Sequence, residues 1–277
     1  MKTIVFAGAG SIAEAMIGGI VEQGSIKPEN IFVMNRSNRD KLINLKNKYG
    51  VSIVCPEKKA LAKADLIILA MKPIDIENGM ENLLPYLAKE TAILSVMAGV
   101  SIQTIEKGLG ARPIARAMPN TSAAIGKSAT AVAWNEAMND DMKKLVLDLL
   151  EAIGIVREVE EYRLHTVTAL SGSGPAYFYY LAEALEEAAI DRGLSKDTAR
   201  ALIIQTFEGA AAMLKDTGEE PAQLRKNITS PGGTTEAGLV VLEARAFKDI
   251  VAECFAEAEK RAVDLGKPSK SIIPGHK

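Results

Sequence analysis

Histidine is nearly missing from this chain of 277 residues: His165 and His276 are the two it has. Oxidation of an alcohol commonly uses a histidine or lysine to take the proton, so the shortage narrows the chemistry to be expected. His276 falls in Lys267 to Lys277, a segment with two prolines and little apolar content that reads as a loose tail. His165 falls in a helical stretch, where a packed or surface imidazole is the commoner role. Cysteine is equally scarce. Cys55 and Cys254 belong to no CxxC pattern, so neither a disulfide framework nor a zinc site is indicated, no metal is expected, and a reducing cytoplasm fits. A formal charge of -2 leaves no electrostatic case for nucleic acid or an anionic membrane surface. Long apolar runs are missing too. The clearest, Leu66 to Met71, is far short of the roughly 20 residues that span a bilayer. The first residues run into a glycine motif with no signal-peptide pattern, so no secretion is expected.

What is present is a chain that can build a core and take a small-molecule partner. Hydrophobic residues make up 48% of it, enough to fold without staples. Thr3–Ala7, Ile31–Met34, Ala64–Ala70, Ala92–Val96, Ile114–Met118, Ala129–Trp134 and Ile155–Val159 read as strands, with helical segments between most of them. This alternation predicts an α/β fold with a parallel sheet covered by helices. From about Glu161 the texture changes to long alanine-rich helical patterns, so the expected division is 1–160 and an all-α domain over 161–277. Tyr177, Leu181, Leu185 and Ala188 share one helix face, as do Phe247, Val251, Cys254 and Ala258. Such stripes belong to a core or a subunit interface. A homodimer or larger homo-oligomer through the helical domain is therefore expected.

Gly8-Ala9-Gly10-Ser11-Ile12-Ala13 follows the first strand and opens a helical pattern. In that context the motif is a Rossmann dinucleotide fingerprint. Its first glycine allows a tight turn, its second admits a pyrophosphate to backbone N–H groups, and Ala13 permits close helix–sheet packing. The second strand ends in Asn35-Arg36-Ser37, where a site for NAD usually presents an acidic residue to the ribose. Donors and positive charge suit a 2′-phosphate instead, which predicts NADPH, with NADH a weaker alternative. Arg36 and Arg39 as solvated charges, with Ser37 or Asn38 as a helix cap, is the competing reading. Ala70-Met71-Lys72-Pro73 ends another strand, and Lys72 is either a phosphate or ribose contact or a solvated lysine. Ser95 to Gly99, including Ala98, and Met118-Pro119-Asn120-Thr121 end the next two strands and are candidates for the nicotinamide side. Asn120 is a partner for a carboxamide or a turn-forming residue.

Ser230-Pro231-Gly232-Gly233-Thr234-Thr235-Glu236-Ala237-Gly238 lies between helical patterns and is dense in glycine and hydroxyls. Glycines let N–H groups approach a ligand closely, and hydroxyls at a helix start add donors for an anion. A Pro-Gly turn with a threonine N-cap explains the same composition. With a nicotinamide site and few acid–base residues, reduction of a C=N bond fits, because an iminium nitrogen arrives already protonated.

Gly8 to Ala13, Ala70 to Pro73, Ala169-Leu170-Ser171-Gly172-Ser173-Gly174-Pro175-Ala176-Tyr177 and Ser230 to Gly238 together resemble pyrroline-5-carboxylate reductase, in order and spacing. The resemblance covers essentially the whole chain, and its last two motifs are highly specific. It implies reduction of L-1-pyrroline-5-carboxylate to L-proline with NAD(P)H, the last step of proline biosynthesis. It also implies helical domains interlocked into dimers, often within larger rings, with the substrate site completed between subunits. Ser230, Gly232, Gly233 and Thr234 would then hold the substrate carboxylate and Thr235 the ring nitrogen, as the catalytic contact. One departure is Cys55-Pro56-Glu57-Lys58-Lys59, where some relatives carry an asparagine for the adenine ribose. Two other readings compete: a β-hydroxyacid dehydrogenase-like enzyme and a non-catalytic NADPH-binding regulator. The first expects a lysine soon after the Ser171 to Gly174 motif, and none appears before Lys196.

Overall fold

Runs of Ile, Val, Leu, Phe and Ala put strands in the first 158 residues, and between them polar side chains cap helix starts while glycines close helix ends. The computed structural model describes residues 2–54 and 59–266. Cys55 to Lys58, the expected tail and His276 lie outside the described residues. Chain order begins β1 (Ile4–Ala7), α1 (Ser11–Gln23), β2 (Ile31–Met34), α2 (Arg39–Tyr49), β3 (Ser52–Ile53) and α3 (Lys59–Ala62). It continues with β4 (Leu66–Leu69), α4 (Ile76–Leu83), β5 (Ala92–Ser95), α5 (Ile102–Leu109) and β6 (Ile114–Met118). β7 (Ser128–Trp134), α6 (Asp140–Glu151) and β8 (Gly154–Glu158) complete the sheet, whose spatial order is β3-β2-β1-β4-β5-β6-β7-β8.

All neighbours pair in parallel except β6 and β7, which are antiparallel. The expected parallel sheet is thus interrupted once. Only residues 119–127, built around the short turn Thr121–Ile125, separate β6 from β7, which is too little chain for the crossover that parallel strands need. Every residue of β1, β4 and β5 is buried, as expected of strands covered on both faces. Alternation divides them between two cores. Ile4, Phe6, Ile68 and Leu94 pack with Met16, Ile17 and Ile20 of α1 and Val146 and Leu149 of α6. Val5, Ile67, Leu69 and Ile93 pack with Ile76 and Met80 of α4 and Ile102 and Ile105 of α5. Side-chain caps start several helices: Asn38 accepts from Lys41 N–H at α2, Ser101 from Thr104 at α5 and Asn139 from Met142 at α6.

The chain continues as α7 (Leu164–Val167), a π-helical turn Thr168–Gly172, α8 (Gly174–Ile190), α9 (Lys196–Thr217), α10 (Pro221–Asn227), α11 (Thr234–Ala244) and α12 (Phe247–Leu265). It forms two compact units: one holds residues up to Ser173 together with those from Ala258 onward, the other Gly174–Glu257. The units part later than the change of texture at Glu161 because the intervening residues stay on the sheet. Glu161 pairs with the buried Arg116 of β6 at 2.7 Å and also accepts the Ile102 N–H at the start of α5. Leu164 and Ala169 are buried. At the far end, Thr166 of α7 donates to Glu259 of α12, and Gly99 packs against the Leu265 carbonyl.

In the second unit the Arg200 guanidinium of α9 forks onto Glu186 of α8 at 2.7 and 3.0 Å. Those hydrogen bonds hold the Glu186 carboxyl below the usual carboxylate range. Both apolar stripes read from the sequence stand open: Tyr177, Leu181 and Leu185 on α8, Phe247 and Val251 on α12. They do not form this chain's own core.

Candidate active site

The carboxyl ends of the parallel strands bring the nucleotide segments to one edge of the sheet. Gly8 to Ala13 follows β1, Asn35 to Ser37 follows β2 and Ala70 to Pro73 follows β4, and β1 lies between the other two strands. The chain leaves β1 toward β2 on one side and reaches β4 on the other, which makes this end of β1 the switch point where open α/β sheets bind ligands. Ala98 follows β5 and Asn120 follows β6, farther along the same edge.

At the switch point backbone meets backbone. Gly8 N–H donates to the Met34 carbonyl at 2.9 Å and Ala70 N–H to the Ala7 carbonyl at 2.9 Å. Gly8 has φ +122°, and a Cβ there would lie 2.3 Å from the Ala70 oxygen and 2.7 Å from the Met71 nitrogen. Only glycine fits. Helix α1 starts from Gly10 without a side-chain cap, and its first bond runs from Glu14 N–H to the Gly10 carbonyl. The N–H groups of Ser11, Ile12 and Ala13 are thereby left to an anion at a positively polarised helix end. A dinucleotide pyrophosphate fits that cradle.

The β2 loop is shaped by Asn35, whose amide donates to the Asn38 carbonyl at 2.7 Å and accepts the Asn38 N–H at 3.2 Å. Asn38, not Ser37, caps α2. Arg36 is exposed and paired with Asp75 at 2.5 Å. Lys72 is exposed. Both polar atoms of the Asn120 amide are engaged: the nitrogen donates to the Ser171 carbonyl at 3.0 Å, and the oxygen accepts the Ser122 N–H at 3.1 Å. This is the turn-forming geometry, and it also pins the π-helical turn Thr168–Gly172 to the end of β6. Turns of this kind recur at functional sites. Nothing in the residue pattern of Ala169 to Gly174 announced it.

In the second unit, Gly233 is the N-cap of α11, with φ -82° and ψ 168°, and no side chain caps the helix. The threonine N-cap reading is corrected by this geometry: Thr234 and Thr235 already occupy the first helical turn. Ser230 takes the space a Gly233 side chain would need, since a Cβ there would lie 2.6 Å from its Oγ. Gly232 sits at φ +72° and donates its N–H to Glu236 Oε2 at 2.7 Å, while Gly233 N–H goes to the Ser230 carbonyl at 3.0 Å. The loop therefore spends two of its own donors on holding its shape. Glu236 is the brace, and an acidic residue three positions after an N-cap, the spacing of a capping box, is the sequence signal for it.

Residues 161–265 match a family model described as pyrroline-5-carboxylate reductase dimerisation, and residues 3–99 match one described as NADP oxidoreductase, coenzyme F420-dependent. Pyrroline-5-carboxylate reductase 2 of Bacillus subtilis is 47% identical over 96% of this chain and 95% of its own length. The chain belongs to the pyrroline-5-carboxylate reductase family. A solved family member from Coxiella burnetii superposes with a TM-score of 0.89 at 38% identity, covering 96% of this chain and 99% of that one. The Plasmodium falciparum enzyme, solved with NADP bound, gives a TM-score of 0.86 at 30% identity over 96% of this chain and 98% of that one. Family membership thus extends over both compact units, and the α/β nucleotide fold and the helical second region are common to it.

Proposed function

We infer that this chain reduces the C=N bond of L-1-pyrroline-5-carboxylate to give L-proline, using NADPH in preference to NADH. Full-length similarity to named pyrroline-5-carboxylate reductases carries the reading. The glycine-cornered cradle at Gly8, Gly10 and Ala70 supports it from the side of the chemistry. In this reading Gly8, Ala9, Gly10, Ser11, Ile12 and Ala13 hold the pyrophosphate, and Asn35, Arg36 and Ser37 serve the 2′-phosphate. Ala70, Met71, Lys72 and Pro73 flank the ribose, and Ala98 and Asn120 belong to the nicotinamide side, Asn120 through the turn it fixes. When bound, the nicotinamide supplies a hydride.

The start of α11 is assigned to the substrate. The N–H groups of its first turn and the Ser230 and Thr234 hydroxyls hold the carboxylate, whose charge the helix end favours. Gly232 and Gly233 serve by giving the loop its shape. The Thr235 hydroxyl bonds the ring nitrogen and orients the C=N bond. A protonated imine needs no separate general acid, which agrees with a chain holding two histidines. Cytoplasmic location and assembly into a homodimer or larger oligomer through the second unit belong to the same reading. No helix among the described residues is long and apolar enough to cross a membrane. Oxidation of NADPH, followed by its absorbance on adding pyrroline-5-carboxylate, tests the whole proposal. Tight NADPH binding with no turnover overturns it in favour of a non-catalytic nucleotide-binding role.

A further inference from the structure

We propose that Asp75 limits the preference for NADPH over NADH by holding Arg36 away from the 2′-phosphate. The inference rests on the nucleotide assignment above and concerns the chain's own residues. Arg36 lies in the loop after β2 and Asp75 in the turn Pro73–Asp75 after β4, while β1 runs between those strands. The 2.5 Å ion pair therefore reaches across the end of β1, over the strand end that carries the glycine turn.

Its two partners differ in freedom. The Arg36 side chain is 76% exposed and that of Asp75 29%, so the carboxylate is the anchored member and the guanidinium the one able to swing. Asp75 occupies the N-cap position of α4 but makes no side-chain cap there. Its carboxylate is turned to Arg36 instead of to the helix. A 2′-phosphate is a stronger, multiply charged acceptor for the same guanidinium. To gain Arg36 it must draw the cation off Asp75, or share it with a like charge close by. A 2′-hydroxyl requires no such exchange. Asp75 therefore weakens phosphate recognition selectively and narrows the gap between the two cofactors.

Calorimetric titration of the intact protein with 2′,5′-ADP and with 5′-ADP isolates this effect from turnover. Removing an exposed competitor of this kind with Asp75→Asn is expected to tighten 2′,5′-ADP by about two- to tenfold and to leave 5′-ADP unchanged within about twofold. In an Arg36→Ala background the gain should fall to less than about half on a logarithmic scale, because Asp75 acts mainly through Arg36. Asp75→Ala provides a second test of the same expectation should the asparagine variant fold poorly. Unchanged or weaker 2′,5′-ADP binding, or an equal change for both probes, overturns the inference while leaving the cofactor assignment standing. Failure of the unmodified protein to bind either probe overturns both.

Discussion

A methyl group on Gly8 would press 2.3 Å from the Ala70 carbonyl oxygen on a backbone at φ +122°, so Gly8→Ala must push the ends of β1 and β4 apart. NADPH affinity, read from quenching or shift of the reduced nicotinamide fluorescence, should fall at least about tenfold, with about 1–3 kcal/mol lost from folding. Ser37→Ala should leave stability unchanged, because Asn38 and not Ser37 caps α2. Thr235 is the other residue on which a single atom matters. Thr235→Ala removes one hydroxyl from the first turn of α11 and should lower kcat/KM for the imine by roughly one to three decades. Steady-state kinetics in that variant matching the unmodified protein would remove Thr235 from the catalytic role.

At the scale of elements, the start of α11 depends on a brace. Glu236 takes the Gly232 N–H at 2.7 Å and keeps Gly232 in its left-handed conformation. Glu236→Ala frees that donor and loosens the loop, so KM for the imine should rise by about tenfold, the worth of one charge-assisted hydrogen bond. The NADPH dissociation constant should not move, since the nucleotide cradle lies on the strand ends of the first unit. A parallel loss of NADPH affinity would show that the brace does more than shape this loop. How far such elements can be read in advance depends on their length and on what closes them. The strand Ile31–Met34 is a continuous apolar run and Ile114–Met118 is apolar but for Arg116, so both are legible from residue order alone. β3 is not, because it consists of Ser52 and Ile53, half-buried at the sheet edge. The π-helical turn and the Arg36–Asp75 pair depend on backbone geometry or on contacts distant in sequence. The glycine cradle was visible because a strand, a spacing and a helix coincide within a few residues.

For the molecule as a whole, the open stripes on α8 and α12 set the expected state of assembly. Leu185 is 43% exposed and Val251 50% exposed on their helices, on faces too apolar to remain against water in a stable monomer. Replacing Leu185 with glutamate should shift the mass seen by light scattering toward that of a single chain and reduce thermal stability in a concentration-dependent way. An unchanged mass for Leu185→Glu together with Val251→Glu would place the subunit interface elsewhere. The division of the chain bears on how such a molecule is made. All strands of the sheet have been synthesised by Glu158, yet the first compact unit also takes in Ala258 onward, where Glu259 meets Thr166 and Leu265 meets Gly99. During vectorial synthesis the nucleotide-binding unit therefore remains unfinished while the whole of α8 through α11 emerges. Among the described residues its last contacts close only when the end of α12 leaves the ribosome, so a chain halted before Leu265 presents an incomplete first domain to proteases and chaperones.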